Sequence, residues 1–188
     1  MRKSKSGFTL IELLVVIVVI GVLAVITLVA YNGMQGRARD DQRKTDIANI
    51  QKALELYYAD NGQYPPSVNG GNTPFSPNSG WSASADPVAW PAFSNYLTSV
   101  NASSGSSAID KVPVDPINSP NSPLNAGKYG YAYYTGNYCG SPSRQWYLLV
   151  YRLEVASKER ASVGDCSVKP LGDYYYDNYG NSYVRVVR

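Results

Sequence analysis

From Leu13 to Ala30 the chain runs without a charged side chain, and the six residues before it are Gly7-Phe8-Thr9-Leu10-Ile11-Glu12. A bilayer-spanning helix needs about 20 mostly apolar residues, and Phe8 to Ala30 supplies them. One carboxylate, Glu12, sits near the start of this segment. Hydrophobicity accounts for an anchor but not for an acid inside it, because an ionised group in a membrane segment is costly and marks function by default. Glu12 lies four residues from Phe8, about 6 Å along a helix. That places it near the interface, where the positive end of the helix dipole favours an anion.

Gly7-Phe8-Thr9-Leu10-Ile11-Glu12-Leu13-Leu14-Val15-Val16, behind a short basic leader, resembles the amino-terminal signature of type IV pilins and type II secretion pseudopilins. The resemblance implies cleavage by a membrane prepilin peptidase between Gly7 and Phe8, on the cytoplasmic side, and methylation of Phe8. It implies that Glu12 serves filament assembly by meeting the free amine of Phe8 on a neighbouring subunit. It also settles the orientation: leader in the cytoplasm, carboxy-terminal domain outside. The basic leader suits that side, although Arg37, Arg39, Arg43 and Lys44 lie beyond the other end. An ordinary secretory signal has a shorter apolar core and a small-residue cleavage site. Here the run is longer, Glu12 interrupts its start, and Ala30 is a weak site.

With 188 residues the chain has room for an anchor and one domain. Five segments follow: a leader at 1–7, a transmembrane or filament-core helix at 8–30, the amphipathic half of the same helix at 31–60, an irregular connection at 61–127, and an antiparallel sheet with carboxy-terminal loops at 128–188. The fold class is α+β and pilin-like: a long helix packed on a small antiparallel sheet. Removal of Arg2, Lys3 and Lys5 with the leader makes the basic and acidic side chains equal in number. A near-neutral mature chain has no electrostatic pull on nucleic acid or acidic partners.

Ile47, Ile50, Leu54, Tyr57 and Tyr58 recur at helical spacing and predict one apolar face. Asp40, Asp41, Arg43, Lys44, Asp46, Lys52 and Glu55 are expected to solvate the rest. Gly62 suits the helix end, and Pro65-Pro66 block continuation. Gly21, Gly33 and Gly36 interrupt the helix; bending and close packing both account for them. No proline breaks the apolar half, which resembles pseudopilins more than many pilins. The run from Asp46 to Pro65 and the turn Val112-Pro113-Val114-Asp115-Pro116 are also similar to major, G-type pseudopilins.

Between 61 and 127, Ser, Asn, Pro and Gly dominate. One short helix is expected near 91–100, with Pro91 in its first turn and Phe93, Tyr96, Leu97 and Val100 on one face. Strands are expected at 129–135, 146–153 and 182–187, where aromatic and β-branched residues concentrate. The tyrosine-rich sheet is read as half exposed over the helix face. An aromatic surface for glycans or DNA is the alternative, and no basic groove accompanies it.

For an exported domain, Cys139 and Cys166 read as a disulfide; two unpaired buried thiols are the alternative. No cofactor is expected. Major pseudopilins carry calcium in their carboxy-terminal loops, and Asp173, Asp177, Asn178 and Asn181 offer oxygen ligands. Their spacing is not that of a dedicated calcium loop, and a solvated turn fits it better. The chain has no histidine, which removes the commonest general base, and it has no phosphate loop or nucleophile elbow. The reading is a non-enzymatic structural subunit of a type II secretion pseudopilus or type IV pilus. A minor pilin acting as an adhesive or DNA-uptake module is the alternative. The implied partners are other copies of the chain, other pilins or pseudopilins, the prepilin peptidase, the inner-membrane assembly platform and the membrane itself.

Overall fold

Alternation of apolar residues in two periods dictates the architecture, a long helix followed by strands. The computed structural model describes residues 7–68, 80–101, 104–120, 124–136, 144–164, 166 and 171–188; side chains 27–30, 32 and 171 lie outside the description. The leader before Gly7 and Cys139 also fall outside it.

Helix α1 spans Leu10–Asn61, 52 residues and about 78 Å. Thr9 caps its start. Its end is closed by Gly62 at φ 69°, whose N–H donates to the Tyr58 carbonyl. That left-handed conformation is free for glycine and strained for other residues. Short helix α2 covers Ala89–Thr98. The Asp86 carboxylate accepts from the Val88 and Ala89 N–H groups at 2.8 and 2.9 Å and starts it. Pro91 falls in its first turn, as expected.

Five strands follow: β1 Ser82–Ala83, β2 Ala132–Tyr134, β3 Trp146–Tyr151, β4 Arg160–Val163 and β5 Ser182–Val187. Their order is β1-β2-β3-β5-β4. The predicted antiparallel ladder is present in β2, β3 and β5, with Leu149 opposite both Tyr133 and Val184. It gains β1 at one edge and β4, parallel to β5, at the other. These two strands lack the aromatic pattern of the others, so nothing in their sequences announced them. Helix α3, Leu171–Tyr179, replaces part of the expected carboxy-terminal loops.

The period-2 alternation divides the sheet cleanly. Tyr131, Tyr133, Tyr147, Leu149, Tyr151, Val184 and Val186 face α1 and α2, where they bury Ile47, Ile50, Ala53, Leu54, Phe93 and Leu97. Phe93 stacks on Tyr133 with ring centres 4.3 Å apart. Ala132, Trp146, Leu148, Val150 and Tyr183 face the other way, and Trp81, Leu124 and Tyr175 of α3 cover them. The sheet is therefore not half exposed: every residue of β3 is buried. Tyrosines read as an amphipathic surface lie inside, which also withdraws most of the aromatic surface considered for glycans or DNA.

Candidate functional site: an unpartnered apolar helix and its charged junction

Every described side chain from Phe8 to Ile26 is exposed, Phe8 by 82%. These residues surround the helix on all sides, as no water-facing helix of a compact domain does. Among the described residues no helix is long and apolar enough to cross a membrane. Side chains 27–30 lie outside the description, and beyond them Tyr31 and Met34 are exposed as well.

Glu12 is exposed at the head of this run and closes a capping box. The Thr9 N–H and hydroxyl donate to its Oε2 at 2.8 and 2.7 Å, and the Glu12 N–H donates back to Thr9 Oγ1 at 3.3 Å. Helix starts leave unpaired N–H groups, and such reciprocal pairs satisfy two of them. Glu12 thus has a role within one chain. That role uses one carboxylate oxygen and leaves Oε1 without a hydrogen bond among the described residues. Gly7 and Phe8 precede the helix as exposed, non-helical residues.

Where α1 meets the head, charges expected in solvent are buried. Asp40 and Arg43 are 2% and 0% exposed. The Arg43 guanidinium donates to both oxygens of Asp115, at 2.6 and 3.1 Å. It also donates to Glu154 at 2.6 Å and Asp40 at 3.0 Å, and it lies 4.8 Å from the centre of the Tyr129 ring. Asp40 accepts three backbone N–H groups, of Glu154, Val155 and Ala156, at 2.7–2.9 Å. Arg39 grips Glu154 through two bonds of 2.7 Å. Planar two-bond pairs of this kind are the strong ones.

Burial opposes the charge of Arg43, but Asp115 and Glu154 outweigh it and hold the guanidinium protonated. Burial likewise pushes Asp40 up, and the three N–H groups more than compensate, leaving it below the ordinary carboxylate range. Arg39 holds Glu154 low. Burial pushes Asp46 up despite the Tyr131 hydroxyl donating to it at 2.8 Å.

The turn Val112-Pro113-Val114-Asp115-Pro116 and the stretch after β3 are thus both fastened to one turn of α1. A signal for this existed in the sequence. Positions 40, 43, 47, 50 and 54 step by three and four, so Asp40 and Arg43 extend the buried stripe of Ile47, Ile50 and Leu54.

The four residues weighed as calcium ligands, and read instead as a solvated turn, do not converge. Asp173 accepts from the Tyr183 hydroxyl at 2.5 Å. Asn178 donates to the Tyr174 carbonyl within α3. Asn181 is buried and donates to the Leu124 carbonyl, while Asp177 is exposed. Among the described residues no group of three or more acids or cysteines is placed to hold a metal. The Arg152 guanidinium occupies this corner and donates to the Tyr179 and Asn125 carbonyls. Cys166 is half-buried and disulfide-bonded.

Comparison with known sequences bears on the same regions. The prokaryotic N-terminal methylation motif matches residues 2–28, and the signature of type II secretion system protein G matches residues 30–82. The type II secretion system core protein G of Aeromonas hydrophila is 32% identical over 131 residues, covering 69% of this chain and 79% of that protein. That of Escherichia coli K12 is 44% identical over 69 residues, 36% of this chain and 46% of that one. That of Klebsiella michiganensis is 42% identical over 71 residues and spans about half of its length, 49%. No solved structure matches.

Proposed function

The chain belongs to the type II secretion system protein G family, and on that premise we propose how it works as a structural subunit of the secretion pseudopilus. The observation that carries the proposal is the apolar half of α1: exposed on all sides, continuous with a helix whose other half packs one face on the head. Such a surface needs lipid or other helices around it. In the mechanism, α1 holds the subunit in the cytoplasmic membrane, with residues 8–30 in the bilayer and the head outside the cytoplasm. The peptidase cuts between Gly7 and Phe8, and Phe8 is methylated.

The amine freed at Phe8 is a cation at the tip of an apolar rod. On extraction into the filament it meets Glu12 of another subunit. Glu12 Oε1 is the atom left for it, since Thr9 occupies Oε2. Pairing offsets the cost of burying either charge alone, so correct stagger is rewarded and other registers are penalised. The Arg43 junction keeps the head fixed to the helix while the rod changes surroundings from lipid to neighbouring helices. The partners are further copies, other pseudopilins and the assembly platform. Cys139 pairs with Cys166, and no cofactor takes part. Added calcium should leave the melting temperature unchanged.

Mass spectrometry of the mature protein is the decisive measurement. The chain should begin at a singly methylated Phe8 and weigh two hydrogens less than its reduced form. Gly7→Glu should leave an uncut precursor, and Glu12→Ala should be cut yet form few filaments. Native filaments that still carry Met1 to Gly7 would overturn the cleavage reading, and wild-type filament numbers from Glu12→Ala would overturn the assembly role.

A further inference from the structure

Between positions 37 and 46 of α1 most charged side chains are committed to the head. Arg39 and Arg43 hold Glu154 and Asp115, Lys44 holds Glu159 at 2.7 Å, and Asp40 and Asp46 accept hydrogen bonds from 154–156 and Tyr131. Arg37 and Asp41 are the exceptions. Both are exposed, and among the described residues neither side chain has an ion pair or hydrogen bond.

Their spacing repeats that of the helix start. Asp41 follows Arg37 by four residues as Glu12 follows Phe8, cation first and acid second. Glu12 and Asp41 are 29 residues apart, and both belong to the unbroken helix α1. At 3.6 residues per turn that step is close to eight whole turns, so the two acids face the same side within about 20° and stand about 44 Å apart along the axis. A parallel neighbour placed so that its Phe8 amine meets Glu12 therefore brings its Arg37 toward Asp41.

We infer that Asp41 and Arg37 form a second ion pair between the same two subunits, at the outer end of the rod, with another copy of this chain as the partner. The inference rests on the assembly role of Glu12. The first pair sets the stagger inside the apolar bundle. The second checks it where the helices emerge, and it fixes which face of one rod meets which face of the next.

Charge reversal tests this. Arg37→Asp and Asp41→Arg should each raise the subunit concentration needed for filament growth by on the order of tenfold, since like charges then meet across the contact. Both residues are exposed, so the melting temperature of the subunit in detergent micelles should stay unchanged. An equal mixture of the two single variants should assemble like wild type, because each supplies the charge the other lacks. A role confined to one helix would give no such mutual rescue.

In a second arm, co-produced Arg37→Cys and Asp41→Cys subunits should form mixed cross-linked dimers in filaments under oxidation. Normal assembly of the single reversals, or a mixture no better than either alone, would sink the inference. If Glu12→Ala impairs filaments while these reversals do not, the Glu12 reading stands and this one falls. If Glu12→Ala is harmless, both fall.

Discussion

Arg43 carries a full charge with no contact to water, and it is held there by three acids at once. Among the described residues Asp115 alone takes Arg43 Nε and Nη2, so losing Asp115 leaves two buried donors unpaired even with Asp40 and Glu154 in place, and breaking a buried pair in this way costs about 3–5 kcal/mol. Asp115→Ala should therefore lower the unfolding free energy by that amount in denaturant titrations in micelles. Lys44 and Glu159 also touch, at 2.7 Å, but their side chains are 40% and 48% exposed. Glu159→Ala should cost about 0–1 kcal/mol. Similar losses from the two variants would mean that burial does not govern this junction.

The same residues set an acid response. Asp40 and Glu154 titrate below the ordinary carboxylate range when folded. Such groups add stability above the unfolded pKa, about 4, and lose it as pH falls through the folded value. Asp46, raised by burial, works in the opposite sense and offsets part of the loss. Stability should fall on acidification below about pH 4, and Asp40→Asn should be less stable at pH 7 but flatter against pH. An equally steep acid limb in that variant would place the titrating group elsewhere.

Among the elements, α1 lives in two environments, and its glycines separate them. A Cβ added at Gly36 would stand 2.7 Å from Val155 Cγ2, in the stretch pinned by Asp40. Here glycine serves close packing. At Gly21 and Gly33 nothing lies within 4 Å, so the folded subunit gives no steric reason for either. Alanine is favoured over glycine in a helix by about 1 kcal/mol. Gly33→Ala should stabilise the subunit by about that much in micelles. Gly36→Ala should gain nothing or lose stability, since residues 154–156 must move to admit it. Helix α3 illustrates the other limit of local reasoning. Its four tyrosines and two acids suggest a polar turn, yet Tyr175 packs edge-on to Trp81 with ring centres 5.2 Å apart. That contact, made across the chain, turns the segment into a lid.

At the scale of the molecule, this lid makes the sheet a middle layer. Strand β3 is covered on both faces and paired on both edges, while all four residues of β4 are exposed. Hydrogen exchange should find the amides of β3 and the facing half of β5 most protected, and β4 exchanging early as a separate unit. Uniform protection across the five strands would contradict this layering.

Much of this was legible in advance. The apolar run, the Gly62 stop and strands β2, β3 and β5 rest on spacing over a few residues, which local chain geometry fixes without help from distant parts. The filament role was legible only through the resemblance of Gly7 to Val16 to the pilin and pseudopilin signature; an acid near the start of an apolar helix does not specify it. What remained hidden depends on which distant segments meet. Spacing puts Arg43 on the buried stripe of α1, but it does not show that Asp115 and Glu154, 72 and 111 residues away in sequence, close on it. Strands β1 and β4 exist only because a paired neighbour offers its edge. Sequence determined the rod, its caps and its apolar stripe, since those follow from periodicity and backbone freedom. Tertiary structure alone decided which distant groups close on the buried charges and which segments pair at the sheet edges, since those contacts lie beyond what periodicity specifies.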